Sequence, residues 1–220
     1  IRKIKNGITN KILNEIDSLS KNDKEKFLIF WKNFGAVIKE GLYEFNECHD
    51  KILQLLRFEN SLDDNLISLE DYIKKMSENQ KEIYYFANTD KEHIINSPQL
   101  EVFLENKTPV LFMTDAVDEF WLQNIEKYKD YKFKSITKGK VDISKLNKNN
   151  KDTVDNNDKI TNNISSLINI LNNELKDKIS ETIISKRLTK SPVLLVADES
   201  GMDINMEKLM KIHNKNTPVS

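Results

Sequence analysis

The chain has 220 residues, 34 basic against 35 acidic side chains for a net charge of −1, and a composition that is 31% charged and 38% hydrophobic. That balance supplies no overall attraction for nucleic acid or an anionic membrane, and no apolar run approaches the roughly 20 residues that a bilayer-spanning helix needs. The length suffices for two modest domains with a real core, and the single Cys48 rules out an internal disulfide framework and fits a reducing compartment.

The chain begins at Ile1 in a helical pattern without an initiator methionine or signal peptide, which reads as a piece of something longer. Ile1, Ile4, Ile8, Ile12 and Ile16 recur at spacings of three and four and predict an amphipathic helix despite Gly7. Ser20, Asn22 and Asp23 offer a cap for a second helix defined by Phe27, Phe30, Trp31, Phe34 and Ile38 and ending near Gly41. A short helix is expected around Ile52 to Phe58 and another over Leu66 to Met76. Glu82 to Phe86, with Ile83, Tyr84, Tyr85 and Phe86, carries a strong strand signal, and Ser97-Pro98 opens a helix running to Leu104.

Val110 to Met113 is a continuous apolar run, as expected of a strand buried on both faces. Thr114 or Asp115 can cap the helix that begins near Val117. On that helix Phe120 and Trp121 lie about 100° apart and cannot both face one narrow core stripe, so one of the two is expected to meet solvent or a partner. A strand near Tyr131 to Ile136 follows, and the alternation implies a small parallel sheet flanked by helices. From Asn147 to Asn163 the chain is almost wholly Asn, Lys, Asp and Thr, too polar to offset the entropy of ordering it. The pattern resumes with Ile164, Leu167, Ile168 and Leu171 on a helix, Ile179 to Leu188 and Val193 to Val196 as strands, and a last helix from about Met202.

The sequence carries little that could do chemistry. Five glycines are too scattered for a phosphate loop, and the Gly35 to Gly41 spacing is wrong for one. Adjacent Cys48 and His49 point apart on any regular element and make no nucleophile–base pair. His93 and His213 have no partner at ligand spacing, and Gly201 falls at the wrong position for Asp198, Glu199, Ser200 and Asp203 to form a calcium loop. Two surfaces stand out instead: the aromatic pair after Asp118-Glu119, and Met202, Met206, Leu209 and Met210, which share one face of the last helix. Methionine adapts to differently shaped apolar partners, but an apolar stripe at helical spacing is most often core.

The order of short segments resembles the heat-shock-protein-90 chaperones, most closely the bacterial high-temperature protein G type. The matching pieces are Ile1 to Ile4, Trp31 to Gly41 (WKNFGAVIKEG), Leu55 to Phe58, Ser68 to Tyr72, Gln80 to Tyr85, Ser97-Pro98, Thr114 to Glu119, Arg187-Leu188 and Asn205 to Lys208. The resemblance implies an α/β (α+β overall) fold: the latter part of the family's middle domain over 1–143, an Asn/Lys/Asp-rich linker or insertion over 144–163, and the first part of the C-terminal domain over 164–220, a second α+β unit cut off before its dimerisation helices. It implies that the ATP-binding domain and the catalytic loop lie upstream. ATP and magnesium then belong to the full-length family, Arg2 is not catalytic, and no cofactor, metal or catalytic residue is expected here. Client polypeptides would be held by Glu119, Phe120, Trp121 and Gln123 and by Met202, Met206, Leu209 and Met210. The partners implied are unfolded or partly folded clients and co-chaperones, with this piece monomeric, its parent a homodimer, and the setting a bacterial cytoplasm or an organelle of bacterial descent. Two other readings stay open: a scaffold docking one folded partner, and an enzyme whose site is assembled from distant residues.

Overall fold

The computed structural model describes residues 2–43, 48–139, 141, 158–185 and 187–198. Two long helices open the chain, α1 (Arg2–Asn22) and α2 (Lys24–Glu40). The isoleucine row does form a helix, but Ile4, Ile8 and Ile12 are each more than half exposed; Ile16, at its end, reaches the core together with Leu13 and Leu19 from beside the row. Asp23 caps α2 by accepting from the Lys26 N–H at 3.1 Å. Phe27, Trp31, Gly35 and Lys39 are the buried positions of α2, a run of i+4 steps that lines one face.

Gly35 is required by packing. A Cβ there would sit 2.9 Å from the Trp31 ring, which is itself anchored by its indole N–H donating to the Arg57 carbonyl at 3.1 Å. The chain leaves α2 at Gly41 with φ −61°, so this glycine is not used for a left-handed turn. It makes room for Ile52, whose Cδ1 would lie 2.8 Å from an added Cβ.

Next come α3 (His49–Leu55), β1 (Glu59–Asn60), α4 (Leu69–Lys75), β2 (Glu82–Ala87), α5 (Lys91–Ile95), a 3-10 turn over Pro98–Leu100, α6 (Glu101–Glu105), β3 (Leu111–Met113), α7 (Asp118–Trp121), β4 (Lys127–Tyr128) and β5 (Tyr131–Ser135). The strands form one five-stranded sheet in the order β1-β3-β2-β5-β4. Its centre, β3-β2-β5, is parallel, as the alternation implied. Both edges add an antiparallel strand to that parallel centre, so the whole sheet is mixed. The edge strands have two residues each, too few to leave a period of two in the sequence.

Side chains alternate across β2. Ile83 and Ala87 join the core beneath α2, α3 and α4 with Trp31, Leu56 and Tyr72. Tyr84 and Phe86 join a second core with Ile94 of α5 and Val102 and Phe103 of α6. Helices therefore cover both faces, which is why the central strands read as continuous apolar runs. Buried Tyr72 ties the layers together: its hydroxyl donates to the Pro109 carbonyl at 2.8 Å and accepts from the Tyr84 N–H at 2.9 Å.

Helix α8 spans Asp158–Leu175, so the last residues of the 144–163 stretch expected as linker already belong to a helix. The strands expected over 179–188 and 193–196 do not form among the described residues. β5 is flanked on both sides, and only its continuation past Ser135 accepts a neighbour, through an isolated parallel bridge between Lys138 and Ala197. Ile183, Ile184, Val193 and Leu195 remain more than half exposed.

What holds 187–197 to the sheet is polar. The buried Arg187 guanidinium donates to the Ile136 and Gly139 carbonyls, and the Gln99 amide donates to the Leu195 carbonyl at 2.6 Å. The Glu101 carboxylate, at the start of α6, accepts from the backbone N–H groups of Thr189, Lys190 and Ser191 at 2.8, 2.9 and 3.1 Å and from the Ser191 hydroxyl. The Ser191 hydroxyl and these amides hold the Glu101 carboxyl at about 2, from an ordinary 4.5. A carboxylate with a lowered folded pKa stabilises fully above its unfolded value and loses that contribution as pH falls through the folded one. Amide-exchange protection at 189–191 should therefore hold at neutral pH and fade only between about pH 4.5 and 2. In Glu101→Gln it should be weaker at neutral pH and flat across that window; an identical profile for both proteins would refute the contact.

Candidate aromatic surface

β3 runs into Thr114 and Asp115, and the chain turns there without the cap expected from either side chain. The residue preceding α7 is Val117, which makes no side-chain capping bond. Instead the Asp118 carboxylate, inside the first turn, reaches back to the Asp115 N–H at 3.2 Å. Its two oxygens accept from three donors: Oδ1 takes the Trp121 indole N–H at 2.8 Å, and Oδ2 takes the Lys39 ammonium at 2.9 Å besides the Asp115 N–H. Every one of these partners is a donor, so the group acts as an ionised acceptor. Burial pushes the Asp118 carboxyl above its ordinary value, while the Lys39 charge and the indole N–H pull it back down.

Lys39 is buried and also pairs with Asp115 at 2.7 Å. Its ammonium lies 4.7 Å from the Phe58 ring centroid, an added cation–π contact. Lys39 sits in the last turn of α2, where a cation is also favoured by the helix dipole. One lysine thus fastens the end of α2 to the start of α7.

The structure settles how the two adjacent aromatics divide. Trp121 is 0% exposed, its ring edge-on to Phe133 at 5.5 Å. This corrects its assignment as a surface contact: in this fold Trp121 is core, and Phe120, 45% exposed, is the ring at the surface. Glu119 is largely buried beside it, and exposed Gln123 turns its amide back to donate to the Glu119 carbonyl at 3.1 Å. Phe120 meets a ring that sequence reasoning missed. Tyr43, in the turn after α2 and 57% exposed, packs edge-to-face on it at 6.1 Å and 76°. Met202, Met206, Leu209 and Met210 lie outside the described residues.

A shallow groove of about 230 Å³ lies between α1, α2 and α3, with Ile12, Val37 and Ile52 in its wall. Its lining has one lysine and no acid, so it offers no acid–base pair. Among the described residues no group of three or more His, Cys, Asp or Glu could hold a metal ion.

Comparison with known proteins adds the following. The family model described as Hsp90 protein matches residues 1–219. The chain is 40% identical over 215 residues to the chaperone protein HtpG of Roseobacter denitrificans, covering 98% of this chain and 35% of that protein. It is 36% identical over 219 residues to the HtpG of the Wolbachia of Brugia malayi, and 34% identical over 224 residues to that of Rhodospirillum rubrum. These cover 98% and 100% of this chain, and 34% and 36% of the relatives. The chain thus spans about a third of the length of the curated relatives it matches. Among solved structures, the middle domain of a Plasmodium falciparum heat shock protein aligns with a TM-score of 0.58 at 31% identity, over 63% of this chain and 58% of that one.

Proposed function

The chain belongs to the Hsp90 family, and from that premise we propose that it supplies a client-gripping surface of an ATP-dependent folding chaperone, with Phe120 as its anchor. The observation that carries the reading is the pairing of an exposed Phe120 with a buried and fully hydrogen-bonded Asp118–Trp121 support. A ring held out on a rigid base loses little conformational entropy when a partner covers it. Glu119 and Gln123 border the ring. Met202, Met206, Leu209 and Met210 form the second, adaptable half of the grip, and ATP and magnesium act in other parts of the whole chaperone, which works as a homodimer with co-chaperones in a bacterial cytoplasm or an organelle of bacterial descent.

Burying one such anchor contributes about 1.5–3 kcal/mol before ordering costs, so a single patch binds weakly. Linking two patches raises affinity through effective concentration. Fluorescence anisotropy of a labelled, partly unfolded polypeptide titrated with this chain should give weak saturable binding. Phe120→Ser should weaken it about tenfold or more, and Met206→Ser/Met210→Ser should weaken it independently. Unrelated unfolded polypeptides should compete. Binding restricted to one folded protein would favour a scaffold instead, and no binding at all would remove the client surface.

A further inference from the structure

Resting on that reading of Phe120, we infer that Tyr43 is a second client-contacting ring, and that Tyr43 and Phe120 together take an apolar side chain from a client segment that also carries a basic residue.

Tyr43 precedes the first strand and Phe120 lies between β3 and β4, yet their spacing is set by fixed parts. Tyr43 follows directly from α2 through a turn in which the N–H groups of Gly41, Leu42 and Tyr43 donate to the carbonyls of Ile38, Lys39 and Glu40 at 3.1, 2.9 and 3.0 Å. Leu42 is fully buried, so the turn is pinned from beneath while its neighbour Tyr43 stands in solvent. Phe120 is held from below by Asp118 and Trp121. The link between the two supports is Lys39, at the end of the helix that delivers Tyr43, through its bonds to Asp115 and Asp118.

The rings meet edge-to-face, an arrangement that leaves a face of one and an edge of the other free for a third apolar group. Each is about half exposed. Aromatic side chains have only two χ angles to fix, and a contacting pair on rigid supports is already ordered before a partner arrives. Lone exposed rings are ordinary on protein surfaces. This one is a pair whose spacing a buried ion pair maintains.

The charge around the pair selects the partner. Exposed Glu40 lies on the turn that carries Tyr43, and the Asp115 side chain is 40% exposed. Lys39 is only 3% exposed and is shared by Asp115 and Asp118, so Glu40, Asp115 and Asp118 set three carboxylates against one buried ammonium and leave this cluster net negative. A client lysine or arginine gains from those carboxylates and from the ring faces, while an acidic segment is repelled.

The test uses this chain and two short labelled peptides with the same leucine- and phenylalanine-containing core, one flanked by lysines and one by glutamates. Tyr43→Ser should weaken the lysine-flanked peptide about three- to tenfold, and Tyr43→Phe should retain binding. Both positions are solvent-exposed, so the variants should keep their denaturation midpoints. Loss in Phe120→Ser with no change in Tyr43→Ser would overturn the role of Tyr43 and leave the client reading standing. No change in either variant, or no binding by the parent chain, would remove both. Equal affinity for the two peptides would overturn the preference for basic segments alone.

Discussion

Replacing Lys39 by methionine is expected to cost about 3–5 kcal/mol of folding stability, because it strands the Asp118 carboxylate in the interior without its counter-charge. Asp118 is 0% exposed, so its carboxylate has little access to solvent in place of the ammonium. Methionine keeps the length and apolar stem of lysine, so the loss is electrostatic rather than a cavity. A total stability of about 5–15 kcal/mol is usual for a domain, so this one change would put much of the fold at risk. The double variant Lys39→Met/Asp118→Leu should recover part of the loss, since replacing both partners of a buried pair removes the stranded charge. Recovery stays incomplete, because the Trp121 indole N–H and the Asp115 N–H lose their shared acceptor, at about 1–3 kcal/mol for a buried unsatisfied donor. Urea denaturation of the parent, the Lys39→Met and Asp118→Leu single variants and the double variant measures each term. A Lys39→Met variant as stable as the parent would mean that the pair is dispensable and that α7 is held by apolar packing alone.

Lys39 also marks the limit of what the sequence discloses. In the sequence it figures only as one residue of the Trp31 to Gly41 segment, yet it occupies the same i+4 row as Phe27, Trp31 and Gly35. A charge on an apolar row is the one local sign of a buried pair, and its two partners lie far along the chain, where no periodicity connects them. The helices were legible from their period of 3.6, and the central strands β2 and β3 from short continuous apolar runs, as strands buried on both faces leave. The edge strands were not, being two residues long. The isoleucine row of α1 announced a helix correctly and its buried face incorrectly, since the pattern registers apolar content and not which row meets a neighbour.

The aromatic surface was half legible. Phe120 and Trp121 could be separated in principle, because Val117, Trp121, Leu122 and Ile125 make an i, i+4, i+5, i+8 stripe, and Val117, Leu122 and Ile125 all pack on the core with Trp121. Phe120 falls off that stripe. Tyr43 could not be found, since only the folded chain brings the end of α2 to α7.

The division between the two rings yields the second large effect. Trp121→Ala is expected to cost about 3–5 kcal/mol, as for other fully buried aromatics, through lost packing against Phe133 and a lost donor to Asp118. Phe120→Ser should stay within about 0.5 kcal/mol of the parent, as an exposed substitution does, and should still lose client binding. Trp121→Phe separates the two parts of the tryptophan: most of the ring volume remains, and what disappears is the N–H that Asp118 accepts. A loss near 1–3 kcal/mol would be the signature of that bond. Any binding defect in Trp121→Ala should track its unfolded fraction across a denaturant series and vanish under conditions where the variant is folded. If a folded Trp121→Ala binds clients as poorly as Phe120→Ser, then the tryptophan reaches the client after all, and α7 must open from the sheet when a client arrives. A combined Phe120 and Trp121 serine variant cannot make this distinction, because it unfolds the support together with the surface; only single substitutions, each read for stability and for binding, assign the grip to one ring.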